Sequence, residues 1–371
     1  MIGNDLHSST EAPVFKRDLV LEHLRTLIVT GELQPGRRMP TRSTVKSQFK
    51  TGSRLVDEAF DRLEEDGFVY TEPGHGTYVS EHPPHLSRYG IVLGSGSGGL
   101  FSAFTTALRR HIAKVEKARS CHFVFYENVT GHTDTLEYQE LLRDIRSHRL
   151  AGLIFRADAF GEGDLSDSPV MTVPGIPRVL FSSDPQRESP CAGVTSVYCD
   201  DPAFSDRALD YLFERGRRRI AFLAGAGLTE KEVADFQSRA ERRGMTAKRW
   251  WVLGLSLKQA RQVTELLLSL PPGERPDGLV LATEPLIEPV GAGISTFGAE
   301  PGRDLDVVAY CDLPCDGPAP FPMRRLGIDM RRRLRVALDL LGRQRRDEAV
   351  PPHVLLSPVF EEELSRSAEV A

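Results

Sequence analysis

The stretch GELQPGRRMPTRSTVKSQFKTGSRLV, residues 31–56, decides how the rest of this chain is interpreted. It carries six basic residues and no acid after Glu32, and six acids then follow within positions 57–66. The whole chain has a formal net charge of -5. Positive charge gathered on one segment of an acidic protein is the usual electrostatic signature of a nucleic-acid-binding surface.

Length and composition restrict the class of protein. The 371 residues suggest two or three domains, and 40% hydrophobic with 27% charged residues is typical of a soluble globular protein. No apolar run approaches the roughly 20 residues of a membrane helix, and the N-terminus has no signal-peptide core. The five cysteines are odd in number and contain no CxxC pair, so we expect reduced thiols in a cytoplasmic protein, no metal site and no cofactor.

The segment around the basic stretch predicts three helices and a β-hairpin. Apolar residues at helical spacing place the first helix over 14–29. Thr41 is the expected N-cap of the second helix and Ser53 that of the third, which ends at Gly67. A turn at 72–76 then joins two short strands, which completes a winged helix-turn-helix pattern.

The sequence from 27 to 79 resembles the DNA-binding domain of GntR-family transcription regulators. The resemblance implies a recognition helix that begins near Ser53 and a wing at 75–77. Two positions depart from the family pattern, because Ser43 and Asp57 stand where the family usually has arginine. The shared motifs are Gly31-Glu-Leu, Pro35-Gly36, Met39-Pro40, the helix end at Leu63 and Gly67, and Gly74-His-Gly-Thr-Tyr-Val79.

Three kinds of DNA contact are expected on this surface. The spacing of Arg42, Lys46 and Lys50 (i, i+4, i+8) places them on one face of the second helix. We expect a homodimer on palindromic DNA, because two matched half-sites double the contacts. The predicted residues are Arg37, Arg38, Lys46 and Lys50 for phosphates, Arg42, Ser43, Ser53 and Arg54 for base edges, and His75, Gly76 and Thr77 for the wing.

From Arg88 onward, strand patterns alternate with helix patterns. This alternation predicts parallel sheets covered on both faces, and about 280 residues suggest two α/β lobes. The fold class is therefore multidomain: an N-terminal α+β winged helix-turn-helix and a two-lobed α/β domain. The predicted units are a tail at 1–13, the winged helix at 14–81, a linker at 82–87 and the α/β domain at 88–371, with lobe 1 at 88–188 and 322–346 and lobe 2 at 189–315 and 350–365.

The glycine-rich loop GSGSGG at 94–99 allows two interpretations. It follows a strand and fits G-x-G-x-x-G, so it could hold a dinucleotide with Glu127 on the ribose, as in an NAD-sensing regulator with a Rossmann domain. Glu127 lies more than the usual ~20 residues beyond the glycines, which weakens that match. The other interpretation is a strand-to-helix turn at the mouth of a ligand cleft.

Four later segments resemble, in the right order, the effector domain of LacI/GalR-type regulators. The resemblance covers about 88–365 and implies a periplasmic-binding-protein fold, in which two lobes enclose an effector cleft. The segments are GVTSVYCDDPAFSDRALDYLFERGRRRIAFLAGAG (193–227), PDGLVLATEPL (276–286), DVVAYCDLP (306–314) and MRRLGIDMRRRLRVALDLL (323–341).

The residues that read the ligand in that family are mostly different here. Glu232 stands where members of that family usually have the arginine that binds the sugar. Thr283-Glu284 stands where they usually have an Asn-Asp pair, so Glu284 replaces the aspartate. A carboxylate only accepts hydrogen bonds, so these changes argue against an ordinary sugar and leave open a cationic or amine-bearing effector, or a signal carried by protein alone. The expected cleft residues are Ser95, Ser97, Phe101, Arg156, Asp158, Ser182, Glu232, Glu284, Tyr310 and Asp312.

Other chemistry finds little support in the sequence. Only three lysines follow residue 117, which argues against a pyridoxal phosphate enzyme, and no G-x-S-x-G motif is present. Asp200 is expected to cap a helix rather than bind metal, and the arginine run 331–333 to form a solvated or inter-subunit face. We therefore expect a DNA-binding repressor, not an enzyme, whose operator affinity depends on a small molecule.

Overall fold

The computed structural model describes residues 16–94, 102–129, 133–157, 167–182, 194–315 and 317–368. These residues form a small N-terminal domain and a larger part built on two mainly parallel sheets, in agreement with the predicted fold class. In this part of the chain, no helix combines the length and apolarity needed to cross a bilayer.

The N-terminal domain contains three helices and a hairpin. The helices are α1 (Lys16–Val29), α2 (Arg42–Phe49) and α3 (Ser53–Glu65). Strands β1 (Val69–Glu72) and β2 (Gly76–Val79) pair antiparallel.

Apolar residues three or four positions apart hold this domain together. They form one face of α1 and one face of α3, and the two faces pack on each other with Phe68 from the start of the hairpin. Full burial of each large side chain contributes about 1.5–3 kcal/mol. The central buried residues are Val20, Leu24, Ile28, Val56, Phe60, Leu63 and Phe68.

The start of α2 agrees with the prediction, because the Thr41 hydroxyl accepts the Thr44 N–H at 3.2 Å and so caps the helix. The start of α3 and the end of α2 differ from it. Gly52, not Ser53, is the N-cap of α3. Lys50 lies beyond the end of α2 with φ 46°, so it does not continue the helix face of Arg42 and Lys46; an eight-residue helix has no room for an i+8 position.

The first large sheet contains parallel strands in the order β13-β7-β6-β5-β3-β4. Its strands are β3 (Arg88–Val92), β4 (His122–Tyr126), β5 (Gly152–Arg156), β6 (Arg178–Phe181), β7 (Thr195–Cys199) and β13 (His353–Leu356). The helices along this half of the chain are α4 (Pro84–Ser87), α5 (Ser102–Ala118), α6 (Leu136–Arg146) and α7 (Pro169–Thr172).

The second sheet has the order β14-β12-β11-β10-β8-β9, with β14 antiparallel to β12. Its strands are β8 (Ile220–Gly225), β9 (Val252–Leu255), β10 (Gly278–Leu281), β11 (Asp306–Leu313), β12 (Arg324–Asp329) and β14 (Val359–Phe360). The helices along this half of the chain are α8 (Asp201–Glu214), α9 (Glu230–Glu241), α10 (Leu257–Leu268), α11 (Ile287–Phe297), α12 (Met330–Arg345) and α13 (Glu361–Ala368), of which α12 packs on β5, β6 and β7 of the first sheet.

The chain passes between the two sheets after β7, after β12 and between β13 and β14, as far as the described residues show. The lobe boundaries drawn from the sequence differ from this: β7 and β13 were assigned to lobe 2 but pair in the first sheet, and β12 was assigned to lobe 1 but pairs in the second. A short buried strand has the same apolar pattern in either sheet. Its sheet is decided by hydrogen bonds to distant residues.

Candidate functional site: a basic surface and a cleft between the lobes

The basic surface of the N-terminal domain is formed by α2, the start of α3 and the loops on either side. The Lys46 ammonium contacts the Ser53 hydroxyl at 3.1 Å, which joins α2 to α3. A Cβ atom on Gly76 would lie 2.9 Å from Arg38 Nε, so the wing approaches Arg38 closely. Most of the predicted DNA-contacting residues are exposed: Arg37, Arg38, Arg42, Ser43, Lys46, Lys50, Ser53, Arg54 and His75.

Two of the predicted residues have internal roles. The Arg42 guanidinium pairs with Asp57 at 3.0 Å and lies over the Phe60 ring at 4.6 Å. Thr77 was predicted at the exposed wing, but it is buried, and its hydroxyl lies 3.4 Å from Arg42 Nη1. The alternation of β2 explains this, because neighbouring residues of a strand point to opposite faces.

The start of α3 is suited to an anionic partner. Its first turn contains no acid, and a helix N-terminus carries a partial positive charge. The Arg54 side chain is 90% exposed, and its Nε lies 2.8 Å from Oε1 of Glu58, one helical turn further along α3. This exposed pair is weak in water, so Arg54 can exchange Glu58 for a nucleic acid at little cost.

A cavity of 1710 Å³ lies between the lobes. The ends of the strands of both sheets line it, as expected for ligand sites of α/β proteins. Four of the expected cleft residues, Ser95, Ser97, Phe101 and Asp158, lie outside the described residues. The other six all line the cavity: Arg156, Ser182, Glu232, Glu284, Tyr310 and Asp312.

Asp312 and Tyr310 form the polar centre of the cleft at the end of β11. The Tyr310 hydroxyl donates to Asp312 Oδ1 at 3.2 Å, and Arg333 Nη1 lies 3.9 Å from the same oxygen. Burial raises the pKa of Asp312 and raises that of Tyr310 well above its usual value. Arg333, the Tyr310 hydroxyl and Arg156 oppose this rise in the pKa of Asp312 but do not cancel it.

Glu284 lies beside Asp312. It begins a single helical turn after β10, and its Oε2 accepts the Asp312 N–H at 3.5 Å. Burial, and then the charge of Asp312, raises the pKa of Glu284 to about 7. Near neutral pH this side chain can therefore act either as a hydrogen-bond donor or as an anion.

Glu232 lines the cleft but also maintains the start of α9. Its Oε2 accepts the N–H of Thr229 at 2.7 Å and the Thr229 hydroxyl at 2.6 Å. The Thr229 hydroxyl accepts the Glu232 N–H in return, which completes a capping box. One carboxylate oxygen is thus already used when a ligand arrives.

Arg333 is a cleft residue that the sequence analysis missed. It was assigned to a solvated or inter-subunit face, but it is 6% exposed, and its Nη2 donates to the Ser182 and Val197 carbonyls at 3.2 and 3.3 Å. Its guanidinium lies 4.5 Å from the centre of the Phe181 ring. Helical spacing could have identified it, because it shares the buried face of α12 with Met330 and Ala337.

Two cysteines of the cleft also lie close to Glu284. One ligating atom each of Glu284, Cys311 and Cys315 lies within 4.8 Å of the others. Cys311 is buried in β11, and Cys315 follows the end of that strand and is partly exposed. A hydrogen bond with the Cys315 side chain, and then burial, raises the pKa of the Cys311 thiol.

The N-terminal domain is attached to the first lobe by buried ion pairs. Asp66 at the end of α3 pairs with Arg25 at 3.2 Å and with Arg149 of the first lobe at 2.9 Å. Arg149 also pairs with Asp144, which accepts a second ion pair from Arg88 at 3.2 Å. The side chains of both aspartates are 2% exposed, so these contacts are shielded from solvent.

The predicted linker is packed against both domains. Pro83, Pro84 and Ser87 are buried, and the His85 ring stacks on Phe68 with 5.8 Å between centroids. Arg345, at the end of α12, donates to the carbonyls of His85 and Leu86 at 3.3 and 3.2 Å. The linker therefore connects the winged helix to the helix that carries Arg333.

The glycine-rich loop falls almost entirely outside the described residues, which include Gly94 but not 95–99. Glu127, the expected ribose ligand of a dinucleotide, forms an ion pair with Arg109, whose guanidinium lies over Phe125 at 3.8 Å. Asp200 caps α8 as expected, because its side chain accepts the Ala203 N–H at 3.0 Å.

A winged helix with an exposed basic surface, attached to two α/β lobes around a cleft, defines the class of two-part proteins in which a nucleic-acid-binding fold is joined to a ligand-binding fold. Residues 16–79 match the family model of bacterial regulatory proteins of the gntR family. The N-terminal domain is therefore similar to the helix-turn-helix domains of gntR-family regulators.

Known proteins resemble both parts of the chain. The arabinose metabolism transcriptional repressor of Geobacillus stearothermophilus is 26% identical over 209 residues, and the match spans 54% of this chain and 54% of that protein. The chain thus spans about half the length of this relative.

Solved structures share the fold of the two-lobed part. A regulatory protein of the LacI family from Chloroflexus aggregans has a TM-score of 0.56 and 19% identity, covering 74% of this chain and 96% of that chain. A LacI family transcriptional regulator from Lactobacillus casei with bound glucose has a TM-score of 0.51 and 20% identity, covering 74% and 98%. The two lobes therefore have the fold of LacI-type effector domains.

Proposed function

We propose that this protein is a sequence-specific DNA-binding transcription regulator, acting as a repressor, whose operator affinity is set by a small molecule in the cleft. One observation carries the proposal: the GntR-type domain is joined to the cleft domain through the buried ion pairs of Arg149 with Asp66 and Asp144. A change in the first lobe therefore changes contacts of the DNA-binding domain directly. Operator DNA is cytoplasmic, so the regulator acts there, and it performs no catalysis.

The proposed DNA contacts follow from exposure and charge. Arg37, Arg38, Lys46 and Lys50 neutralise phosphates, which makes binding depend on salt. Ser43, Ser53 and Arg54 reach base edges from the start of α2 and α3, together with Arg42 when its pair with Asp57 opens. His75 and Gly76 supply the wing contact, and a homodimer presents two such surfaces to a palindrome.

The proposed effector is a small molecule with amine or hydroxyl donors at one end and acceptors at the other. The first lobe contributes Arg156 to the cleft, whereas the second contributes the carboxyl groups of Glu284 and Asp312. A ligand that satisfies both sides holds the lobes together and stabilises the closed arrangement. The carboxyl groups favour an amine over a plain sugar at the second lobe.

DNA selection with the purified full-length protein tests the proposal. The bound pool is sequenced at two salt concentrations, and we expect an enriched palindrome whose binding falls steeply as salt rises. Arg54→Ala should lose about tenfold or more in affinity for that palindrome, as expected when a base-edge contact is removed. Lys258→Ala, which changes an exposed cation in the second lobe, should bind as the wild type does.

Two results would contradict the proposal. The first is a folded protein that enriches no sequence, either alone or with amine-bearing and sugar ligands added. The second concerns only the recognition residues: if Arg54→Ala and Arg42→Ala both retain full operator affinity, α3 does not read the DNA as proposed.

A further inference from the structure

The fold brings two thiols and a carboxyl group together on the wall of the cleft. Cys311 lies near the end of β11, Cys315 lies just beyond that end, and Glu284 follows the neighbouring strand β10. One ligating atom of each side chain lies within 4.8 Å of the others. Because β10 and β11 are parallel neighbours, their carboxyl ends meet at one edge of the sheet and place these groups on the same wall.

We infer that Glu284, Cys311 and Cys315 bind a thiophilic divalent cation of the zinc class. Two sulfurs and one oxygen are donors that zinc prefers, whereas magnesium and calcium prefer oxygen alone. Around a tetrahedral zinc ion, bond lengths of about 2.3 Å to sulfur and about 2.0 Å to oxygen leave neighbouring ligands somewhat under 4 Å apart. The observed separations therefore require only small side-chain movements.

The backbone around the three groups already holds them in place. The Cys315 N–H donates to Glu361 Oε1 at 3.0 Å, and the Asp312 N–H donates to Glu284 Oε2 at 3.5 Å. Both cysteines are free thiols, and Cys315 remains partly exposed to the cleft. A cation can therefore enter from the cavity without opening the core.

The surrounding charge suits a bound dication. Two thiolates and one carboxylate around a 2+ ion leave a net charge of about −1. The Arg325 guanidinium is fixed near this wall by Glu361 Oε2 and the Gly317 carbonyl, each at 3.0 Å. Its Nε is buried and has no hydrogen-bond partner among the described residues, so it remains available to donate to a thiolate.

Binding is balanced by proton release. The cation replaces the proton on each of the two thiols, and also that of Glu284 where this carboxyl is protonated; these protons leave to solvent with no change in oxidation state. Three protein ligands leave a fourth position of a tetrahedral ion open to the cleft, where water or a small molecule can bind. This cation site is independent of the proposed regulator function, and cation binding can be measured without DNA.

The test uses the full-length, reduced and metal-free protein titrated with Co²⁺, whose bonds to thiolate absorb strongly in the near ultraviolet. We expect a sulfur-to-cobalt band that saturates at one ion per chain and disappears when Zn²⁺ is added. Cys315→Ser should lose most of the band and bind the ion at least about tenfold more weakly. Cys199→Ser is the matched control, since Cys199 lines the same cavity outside the triad.

A second readout keeps the test valid if a variant folds poorly. Stoichiometric Zn²⁺ should raise the melting temperature of the wild type and of Cys199→Ser, but not that of Cys315→Ser or Glu284→Gln. Failure of Co²⁺ to give a thiolate band with reduced wild-type protein would overturn the inference, and so would a band that Cys315→Ser retains in full. A clear band from a protein that selects no DNA would support this site and contradict the regulator function; selection without the band would do the reverse.

Discussion

The junction between the domains and the cleft between the lobes both bury aspartates, but the aspartates differ in how many arginines lie close to them. At the junction, Asp66 has arginines at 2.9, 3.2 and 3.4 Å, and Asp144 pairs with Arg88 and Arg149. In the cleft, Arg333 Nη1 lies 3.9 Å from Asp312 Oδ1, and burial raises the pKa of this carboxyl.

The difference separates a structural role from a binding role. When several arginines surround a buried carboxylate, the opposite charges compensate each other, and the ion pairs hold the two elements in one arrangement. A buried carboxyl whose pKa stays raised despite a neighbouring cation is costly to ionise, and a ligand that supplies donors or positive charge stabilises it. The junction is therefore built to hold the two domains together, whereas the cleft is suited to a ligand.

The largest expected effect comes from removing a charge at the junction. Asp66→Asn leaves the arginines around it without a buried counter-ion, and we expect a loss of about 3 kcal/mol in the free energy of unfolding. Urea denaturation measures this, with Asp61→Asn, an exposed acid of α3, as control. A loss no larger than that of the control would show that the junction is not held by these ion pairs.

The junction should also weaken in acid. Burial, and then the charge of Arg345, lowers the pKa of His85 from 6.5 to about 4. Between these values the unfolded chain binds more protons than the folded chain, so stability falls as pH drops from about 6.5 toward 4. From pH 7 to 5 this amounts to about 2 kcal/mol.

Melting temperatures between pH 7 and 5 check the contribution of His85. His85→Phe keeps a ring against Phe68 but removes the titration, so its melting temperature should depend less on pH. His82→Phe, at an exposed neighbouring position, is the control. Equal slopes for the wild type and both variants would contradict the prediction.

In the cleft, the same Asp-to-Asn change should cost little. Asp312→Asn removes a buried charge that its surroundings disfavour, so we expect a change within about 1 kcal/mol, in the stabilising direction. The same urea experiment compares it directly with Asp66→Asn. A comparable loss at both positions would remove the distinction between the two regions.

The smallest stability change is expected at an exposed ion pair. Asp57→Asn frees Arg42 and should change the free energy of unfolding by less than about 1 kcal/mol. Operator affinity should nevertheless rise a few-fold, because the freed Arg42 can reach a base edge. Fluorescence anisotropy with the selected palindrome and with a scrambled duplex measures this, and an unchanged affinity for the palindrome would place Arg42 away from the base edges.

Much of the N-terminal domain could be predicted from the sequence because its signals are local. The Thr41 cap, the turn at Gly67 and the apolar period of α3 all act within a few residues. The wing residue Thr77 was misplaced, although the alternation of β2 places it on the inner face of the hairpin, where it contacts Thr71 and Arg42.

The cleft and the junction were harder to predict because distant residues form them. Asp66 and Arg149 are 83 positions apart, and no short pattern links them. The cysteines offered no CxxC spacing, and their approach to Glu284 depends on the pairing of β10 with β11. Six of the residues expected at the cleft do line the cavity, because the resemblance to LacI-type effector domains aligned them with positions that face the cleft in that fold.

Helix α12 extends from the cleft to the linker, with Arg333 near one end and Arg345 at the other. Twelve residues at about 1.5 Å each make a rigid rod of about 18 Å between them. A tilt of about 3° at the cleft end therefore displaces the far end by about 1 Å. The contacts of Arg345 with the linker carbonyls are 3.2 and 3.3 Å long, so this leverage is enough to break them.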